Sequence, residues 1–400
     1  MDFDFRPEEE AYRKELQSWL VANIPTWWRE RSDRTDREDV ARDGLFERLR
    51  EWHAGLYDAG YVGVTWPEEY GGQGRTHVEN AILQEELVVA DSPPTVNALG
   101  IGLCGPALIH HGTEAQKKRF LRPMLRAEEI WCQGYSEPNA GSDLASVQTR
   151  AELRDDTYVV NGQKIWTSQA HRADWVFCLV RTDPDAERHG GIGFLLIDMK
   201  SPGIEVAPLI QITGARHFSQ VFFEDVKVPS SNMVGSPTEG WRVANTVLGY
   251  ERGASSLSRY ASYRRRFQEL RDLARRTRRN GGPASSDGRV RQKLAQLAID
   301  IEVLRLNSLR QLTRLTRGER PGPESSIQKL YWSELDQRLA RVGAELCGPF
   351  GMLRKEAPHA VDGGRWGQRD LQSRAVTIFA GTSEIQRNIL AERVLGLPRR

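Results

Sequence analysis

The sequence predicts an α+β multidomain fold. It has an N-terminal α-helical domain over residues 1–129, a central β-barrel or sandwich domain over 130–235, and a C-terminal four-helix bundle over 236–400. Three observations predict it. Apolar residues recur at helical spacing up to about residue 129 and again after about 240. Between those limits the apolar runs are short, rich in β-formers and separated by turn residues. The chain of 400 residues is also too long for one hydrophobic core.

Tyr12, Leu16 and Leu20 line one face of the first helix, and Leu45, Leu49, Trp52 and Leu56 line the next. Leu83 to Val89 is a third candidate. Thr113-Glu-Ala-Gln116 reads as a capping box that starts a fourth. In the middle region, Tyr158-Val-Val160 and Gln163 to Trp166 flank Asn161-Gly162, which suits a hairpin turn because both residues tolerate positive φ. Trp175 to Val180, Ile192 to Ile197 and Val221 to Val228 are further strands, consistent with a small barrel or sandwich. In the last region Leu294, Leu297, Ile301 and Leu304 form a stripe that Leu309, Leu312 and Leu315 extend. Polar breaks at Gly281 to Gly288 and Gly318 to Glu324 separate the helices of a bundle.

Hydrophobic residues make up 39% of the chain and charged residues 28%, as in ordered globular proteins. A formal net charge of +2 gives no global attraction to nucleic acid or to an anionic membrane. No apolar run approaches the ~20 residues that span a bilayer. The N-terminus lacks a basic start followed by an apolar stretch, so no secretory signal is expected. Cys104, Cys132, Cys178 and Cys347 are scattered and form no CxxC, which predicts reduced, buried thiols and a cytoplasmic setting. No metal site is expected, because His110 and His111 are adjacent and His53, His171 and His217 are isolated. No GxGxxG follows a strand and no GxSxG occurs, which argues against a Rossmann nucleotide site and a serine hydrolase.

Three segments could carry chemistry. Gly134-Tyr-Ser-Glu-Pro-Asn-Ala-Gly-Ser-Asp143 could present backbone N–H groups and hydroxyls to a polar ligand. Trp166-Thr-Ser168 sets an aromatic ring beside two hydroxyls, a pairing that suits a planar heterocycle. Ile378-Phe-Ala-Gly-Thr-Ser-Glu-Ile-Gln-Arg387 places a glycine before a capping box at Ser383 to Gln386. Taken singly, an ordinary turn, a core tryptophan and a plain N-cap explain each of them better.

Together, in this order and at these separations, they resemble the acyl-CoA dehydrogenase family. The resemblance includes Trp66-Pro-Glu-Glu-Tyr-Gly-Gly72 and covers nearly the whole chain. It implies FAD held between the β domain and the bundle. Gln133, Tyr135, Ser136, Ser142, Trp166, Thr167, Ser168, Thr382 and Glu384 would contact the cofactor, with Thr167 and Ser168 near flavin N5. It implies α,β-dehydrogenation of an acyl-CoA thioester to the trans-2-enoyl-CoA, with N5 accepting the hydride. Many members carry the α-proton base as a glutamate just before the Gly-Thr of the third segment. This chain has Ala380 there, and alanine takes no proton. A smaller branch carries the glutamate on the first long bundle helix, where this chain reads Leu248-Gly-Tyr-Glu-Arg252. Glu251 is therefore the expected base. Ser142, Arg252, Ala380 and Gly381 are the expected substrate contacts, with the Ala380 N–H donating to the thioester oxygen.

Two departures bear on assembly. No Phe-Gly follows Arg252 among Arg259, Arg264, Arg265 and Arg266, and Glu345 stands where glutamine is common. Both a homotetramer and an α2β2 heterotetramer with a paralogous subunit fit, with an electron-transfer flavoprotein as acceptor. Two alternatives remain: a non-catalytic or half-site subunit, and a DNA-binding member using its arginine runs. Acids interleaved at Glu269 and Asp272 favour a solvated face for those runs.

Overall fold

The computed structural model describes residues 5–30, 44–253, 256–279, 281–319, 322–355 and 357–398, without the side chains of 250–253 and 256. Helices come first: α1 (Pro7–Asn23), α2 (Thr26–Arg29), α3 (Leu45–Asp58), α4 (His77–Val89), α5 (Gly105–His111) and α6 (Glu114–Leu125). Seven strands follow: β1 (Trp131–Gly134), β2 (Arg150–Arg154), β3 (Thr157–Ser168), β4 (Trp175–Arg181), β5 (Ile192–Asp198), β6 (Ile204–Leu209) and β7 (Phe218–Pro229). The chain then returns to helices: α7 (Gly240–Gly253), α8 (Ser256–Arg276), α9 (Gly288–Thr316), α10 (Ser325–Leu346), α11 (Arg365–Val376) and α12 (Ser383–Ile389). The α, β, α order expected from periodicity is the order found.

By contact the described residues form two compact units: those within 1–39, 76–93 and 252–400 make one, and those within 40–75 and 94–251 make the other.

In the first unit, α1 opens with Pro7 and Glu8 to Glu10, which suit the positive helix N-terminus, and buries Tyr12, Leu16 and Leu20 at four-residue spacing. α4 is capped by Thr76, whose hydroxyl accepts from Glu79 N at 3.2 Å while the Glu79 carboxylate accepts from Thr76 N at 2.9 Å. The core here is built on Leu270 and Leu273 of α8, Leu297 and Leu304 of α9, and Trp332 and Leu335 of α10. Each such side chain contributes about 1.5–3 kcal/mol on burial.

In the second unit the strands run β1-β4-β2-β3-β7-β6, with β5 on the other flank of β4. The β1–β4 and β2–β4 pairs are parallel and the rest antiparallel. Phe120 of α6 meets Trp131 and Trp175 edge-on, at 5.4 and 5.0 Å between ring centres, and so ties that helix to β1 and β4. The box at Thr113 forms as expected, with Thr113 N to Gln116 Oε1 at 3.0 Å and Gln116 N to Thr113 Oγ1 at 3.2 Å. All four cysteines are buried and free.

The Asn161-Gly162 hairpin expected from the sequence does not form. β3 runs straight through it, and the chain reverses instead at Asp155-Asp156, between Arg154 and its partner Thr157. Asn161-Gly162 is a bulge in the β3–β7 ladder. A Cβ on Gly162 would lie 2.6 Å from Thr149 Cα, so close backbone approach, rather than a turn, demands the glycine there. The Asn161 side chain bonds Asp225 across the ladder, at 3.0 Å to Oδ1 and 2.9 Å from its N–H.

His53 of α3 is fully buried and donates from Nε2 to Leu125 O at 2.8 Å. Burial lowers its pKa to about 4, only partly offset by that hydrogen bond. The folded state therefore disfavours the charged ring. The stabilisation is complete above the unfolded value near 6.5 and is lost as pH falls toward about 4. Some 3 kcal/mol should disappear across that window. Denaturant melts at pH 7 and pH 4 should show the parent losing that much more than His53→Gln, which keeps a donor and does not titrate. Equal losses would mean that His53 is not the linked group.

Candidate functional site

The second unit gathers two of the three segments singled out in the sequence. β1 carries Gln133, half-buried, to the sheet end. There Gly134 is forced by proximity, because a Cβ would stand 2.9 Å from Val176 Cγ2. Tyr135 is buried, with its ring edge-on to Phe177 at 5.9 Å. Ser136 is half-buried, and its carbonyl accepts from Ile165 N at 2.9 Å. Glu137 and Ala140 exchange backbone hydrogen bonds of 3.0 and 3.1 Å, closing a tight loop around Pro138-Asn139. Ser142 is exposed beyond it.

β3 reaches this loop at its far end. Its pairing with β7 slips between Lys164 and Thr167. Within that slip Trp166 takes φ +59° and is 56% exposed, its ring touching only Phe218 edge-on among the aromatic neighbours described. A bulky residue in left-handed backbone costs of order 1–3 kcal/mol. An exposed indole held that way presents an open aromatic face.

The two neighbouring hydroxyls are not equivalent. Thr167 is fully buried, and its Oγ1, like the Oγ of its cross-strand partner Ser219, has no hydrogen-bond partner among the described residues. Ser168 is half-buried. Of the two residues expected at one ligand edge, Ser168 is the more exposed. Sequence alone could not separate them, because the bulge that rotates the strand here has no residue signature.

A buried ion pair that the sequence analysis missed underlies this arrangement. Lys164 is fully buried and donates to Glu137 Oε1 at 2.7 Å and to Tyr135 O at 3.1 Å. Glu137 also accepts from Gln148 N at 2.7 Å and Thr149 N at 2.9 Å. Burial works to raise the Glu137 pKa, but the charge of Lys164 and these hydrogen bonds outweigh it and hold the carboxyl below its ordinary range.

α7 belongs to the same unit up to Glu251. It buries Val243, Ala244 and Val247. Gly240 at its start lies so close to β5 that a Cβ would meet Ile192 O at 2.6 Å. Trp241 stacks on His189 at 4.3 Å, and Thr246 bonds His111 of α5 at 2.8 Å. Glu251 and Arg252 lie in the last turn of this anchored helix, and their side chains are outside the described residues.

The third segment belongs to the other unit. Ala380 and Gly381 both adopt left-handed backbone, φ +54° and +83°. Gln386, fully buried, donates to both of their carbonyls at 2.9 and 3.2 Å. The cap of α12 is Thr382, whose Oγ1 accepts from Ile385 N at 3.2 Å; it is not Ser383, as the sequence suggested. Ser383 is already helical, and Gln386 Nε2 is engaged with the turn, so the expected box does not form. Glu384 is exposed, and its own backbone N–H, the Thr382 hydroxyl and Arg387 keep it charged below the usual glutamate range.

The arginine runs are largely neutralised within this unit. Arg265 pairs with Asp91, Arg266 with Asp336, Arg275 with Asp272, Arg276 with Asp362 and Arg279 with Asp287. Among the described residues no helix is long and apolar enough to cross a membrane.

Three family models match consecutive stretches: the acyl-CoA dehydrogenase N-terminal domain over residues 6–128, the middle domain over 132–226 and the C-terminal domain over 238–395. The chain is 40% identical over 399 residues to acyl-CoA dehydrogenase IpdE1 of Mycobacterium tuberculosis, covering 98% of both. It is 33% identical to acyl-CoA dehydrogenase FadE26 of the same organism, over 100% of this chain and 99% of that one. Among solved structures it resembles the ChsE4-ChsE5 complex from Mycobacterium tuberculosis, with TM-score 0.85, 31% identity and full coverage of both chains. It also resembles a Tcur3481-Tcur3483 steroid ACAD, with TM-score 0.84, 31% identity and full coverage of both chains.

Proposed function

The chain belongs to the acyl-CoA dehydrogenase family of FAD-dependent oxidoreductases, and from that premise we propose that it oxidises an acyl-CoA thioester between Cα and Cβ with Glu251 as the base. The observation that carries the reading is the Trp166 bulge: an exposed indole on strained backbone, joined by the Ile165–Ser136 hydrogen bond to the Tyr135–Ser136 edge.

The residues present fit FAD. Trp166 offers an aromatic face, Ser136 and Ser168 are half-buried hydroxyl residues beside it, and Thr167 Oγ1 is a buried polar atom without a described partner. In this proposal Gln133, Tyr135, Ser136, Trp166, Thr167 and Ser168 hold the flavin, and Thr382 and Glu384 are further contacts to it. Bound FAD would supply the two-electron acceptor for the Cβ hydride.

The protein's task is the α-proton. It is weakly acidic, so a carboxylate must be positioned beside it, and the negative charge that builds on the thioester oxygen must receive hydrogen bonds. Glu251 takes the proton as the Cα–H electrons form the Cα=Cβ bond. Ala380 and Gly381 can offer backbone N–H groups to the oxygen, and Ser142 and Arg252 serve the CoA chain. Ala380 leaves no carboxylate at the commoner position, which makes Glu251 the candidate.

The acyl group we propose is bulky and ring-bearing. One of the similar solved structures, that of Tcur3481-Tcur3483, is a steroid ACAD. We further propose a two-component assembly. Both similar structures are named for two components, ChsE4 with ChsE5 and Tcur3481 with Tcur3483. Glu345, in place of the commoner glutamine, is engaged by Lys293 of its own chain. An electron-transfer flavoprotein is the proposed acceptor. The paired arginine runs speak for the flavoenzyme over a DNA-binding member.

Anaerobic titration of the flavin-loaded protein with straight-chain, branched and ring-bearing acyl-CoAs tests the reading. Ring-bearing thioesters should bleach the flavin at the lowest concentrations. No bleaching by any thioester would overturn it. Native mass measurement with and without a paralogous subunit tests the assembly, and a flavin-saturated tetramer of this chain alone would overturn an obligate partner.

A further inference from the structure

The buried pair between Lys164 and Glu137 is costly. Each ion loses its hydration, and in many proteins an apolar pair of similar volume serves stability as well or better. Its contacts suggest what it does instead. The Lys164 ammonium reaches Tyr135 O at 3.1 Å and Glu137 Oε1 at 2.7 Å, on either side of Ser136. The Glu137 carboxylate in turn holds the N–H groups of Gln148 and Thr149, at 2.7 and 2.9 Å, where the loop re-enters the sheet. One residue beyond Lys164, Ile165 N donates to Ser136 O at 2.9 Å. Two residues beyond it stands Trp166, exposed and left-handed. The ladder slips between Lys164 and Thr167, so the lysine points inward while the indole is aimed out.

We propose that Lys164 is a positioning residue: anchored on Glu137, its ammonium fixes the Tyr135–Ser136 edge relative to the Trp166 face, so that one rigid frame presents both to the cofactor. This rests on the reading of that edge as the flavin site. The lysine touches neither cofactor nor substrate; it acts through the loop backbone. A loop tethered only by the Ile165–Ser136 bond would sample several positions, and each would have to be ordered on binding.

The test separates positioning from stability. Lys164→Met with Glu137→Gln removes both charges, and the amide oxygen still accepts from one of the two N–H groups, that of Gln148 or that of Thr149. Its melting temperature should stay within a few degrees of the parent. Lys164→Leu in the same background serves if the methionine variant does not fold. Two readouts are taken. Amide hydrogen exchange at Ile165, measured without flavin, should speed up about tenfold. FAD affinity should weaken by about tenfold or more, the worth of one charge-assisted hydrogen bond, with loss of fine structure in the visible flavin band. Faster exchange with parental FAD affinity would overturn the proposal, and so would unchanged exchange. A parent chain that binds no FAD would sink the flavin reading instead, and the exchange measurement would still decide whether Lys164 orders the loop.

Discussion

Glu251→Gln is expected to lower kcat by about 100- to 10,000-fold, the range a positioned general base contributes. Glutamine keeps the size and the acceptor oxygen but cannot take a proton at neutral pH. α7 should tolerate it, because Glu251 sits in the last turn and the helix is held upstream by Val243, Ala244 and Val247 and by the Thr246–His111 bond. FAD content and acyl-CoA affinity should therefore change little, leaving the loss in the chemical step rather than in binding. A variant that loses flavin would point to a structural role for Glu251. A variant that turns over at the parental rate would require another base, and Ala380 cannot be it.

The second large effect is expected at the other end of the same helix. Gly240→Ala adds one methyl group, but that methyl would meet Ile192 O at 2.6 Å and Gly193 Cα at 2.7 Å. Those atoms are backbone of the sheet and cannot rotate away, so α7 must move. Overpacking of this kind costs about 1–3 kcal/mol. A shift near 1 Å at a catalytic group can cost about 100-fold in rate. Gly55→Ala is the matched control: it lies inside α3 with nothing within 4 Å of the new methyl. Better helix propensity should make that variant more stable, by about 0.5–1 kcal/mol. Opposite signs in melting temperature, with kcat falling only for Gly240→Ala, are the expected pattern. Parental kcat in Gly240→Ala would show that α7 placement does not govern the reaction.

The fold was legible where one period dominates a long stretch. Tyr12, Leu16 and Leu20 mark a helix because only that spacing places them on one face, and the Thr113 box marks its helix start because four residues suffice to make it. The Asn161-Gly162 step misled for a physical reason. Glycine answers equally to a turn and to a close backbone neighbour, and the neighbour here, Thr149, comes from another segment. The cap at Thr382 was misassigned by one residue because Gln386, which could close a box, is drawn instead to the Ala380 and Gly381 carbonyls.

The candidate site was partly legible. Trp166, Tyr135 and Ser136 stand in recognisable order, but the left-handed backbone at Trp166 and the burial of Thr167 arise from a slip in pairing with β7. The Lys164–Glu137 pair joins residues 27 apart. Nothing local to either one announces the other; a lysine on a strand reads as solvated until the sheet closes over it.

The most direct measurement is anaerobic single-turnover reduction: flavin-loaded parent and Glu251→Gln are each mixed with a saturating acyl-CoA, and the visible flavin band is followed with time. The account predicts rapid bleaching in the parent and bleaching slowed by about 100-fold or more in the variant, with the thioester bound equally well by both. Equal bleaching rates would contradict it.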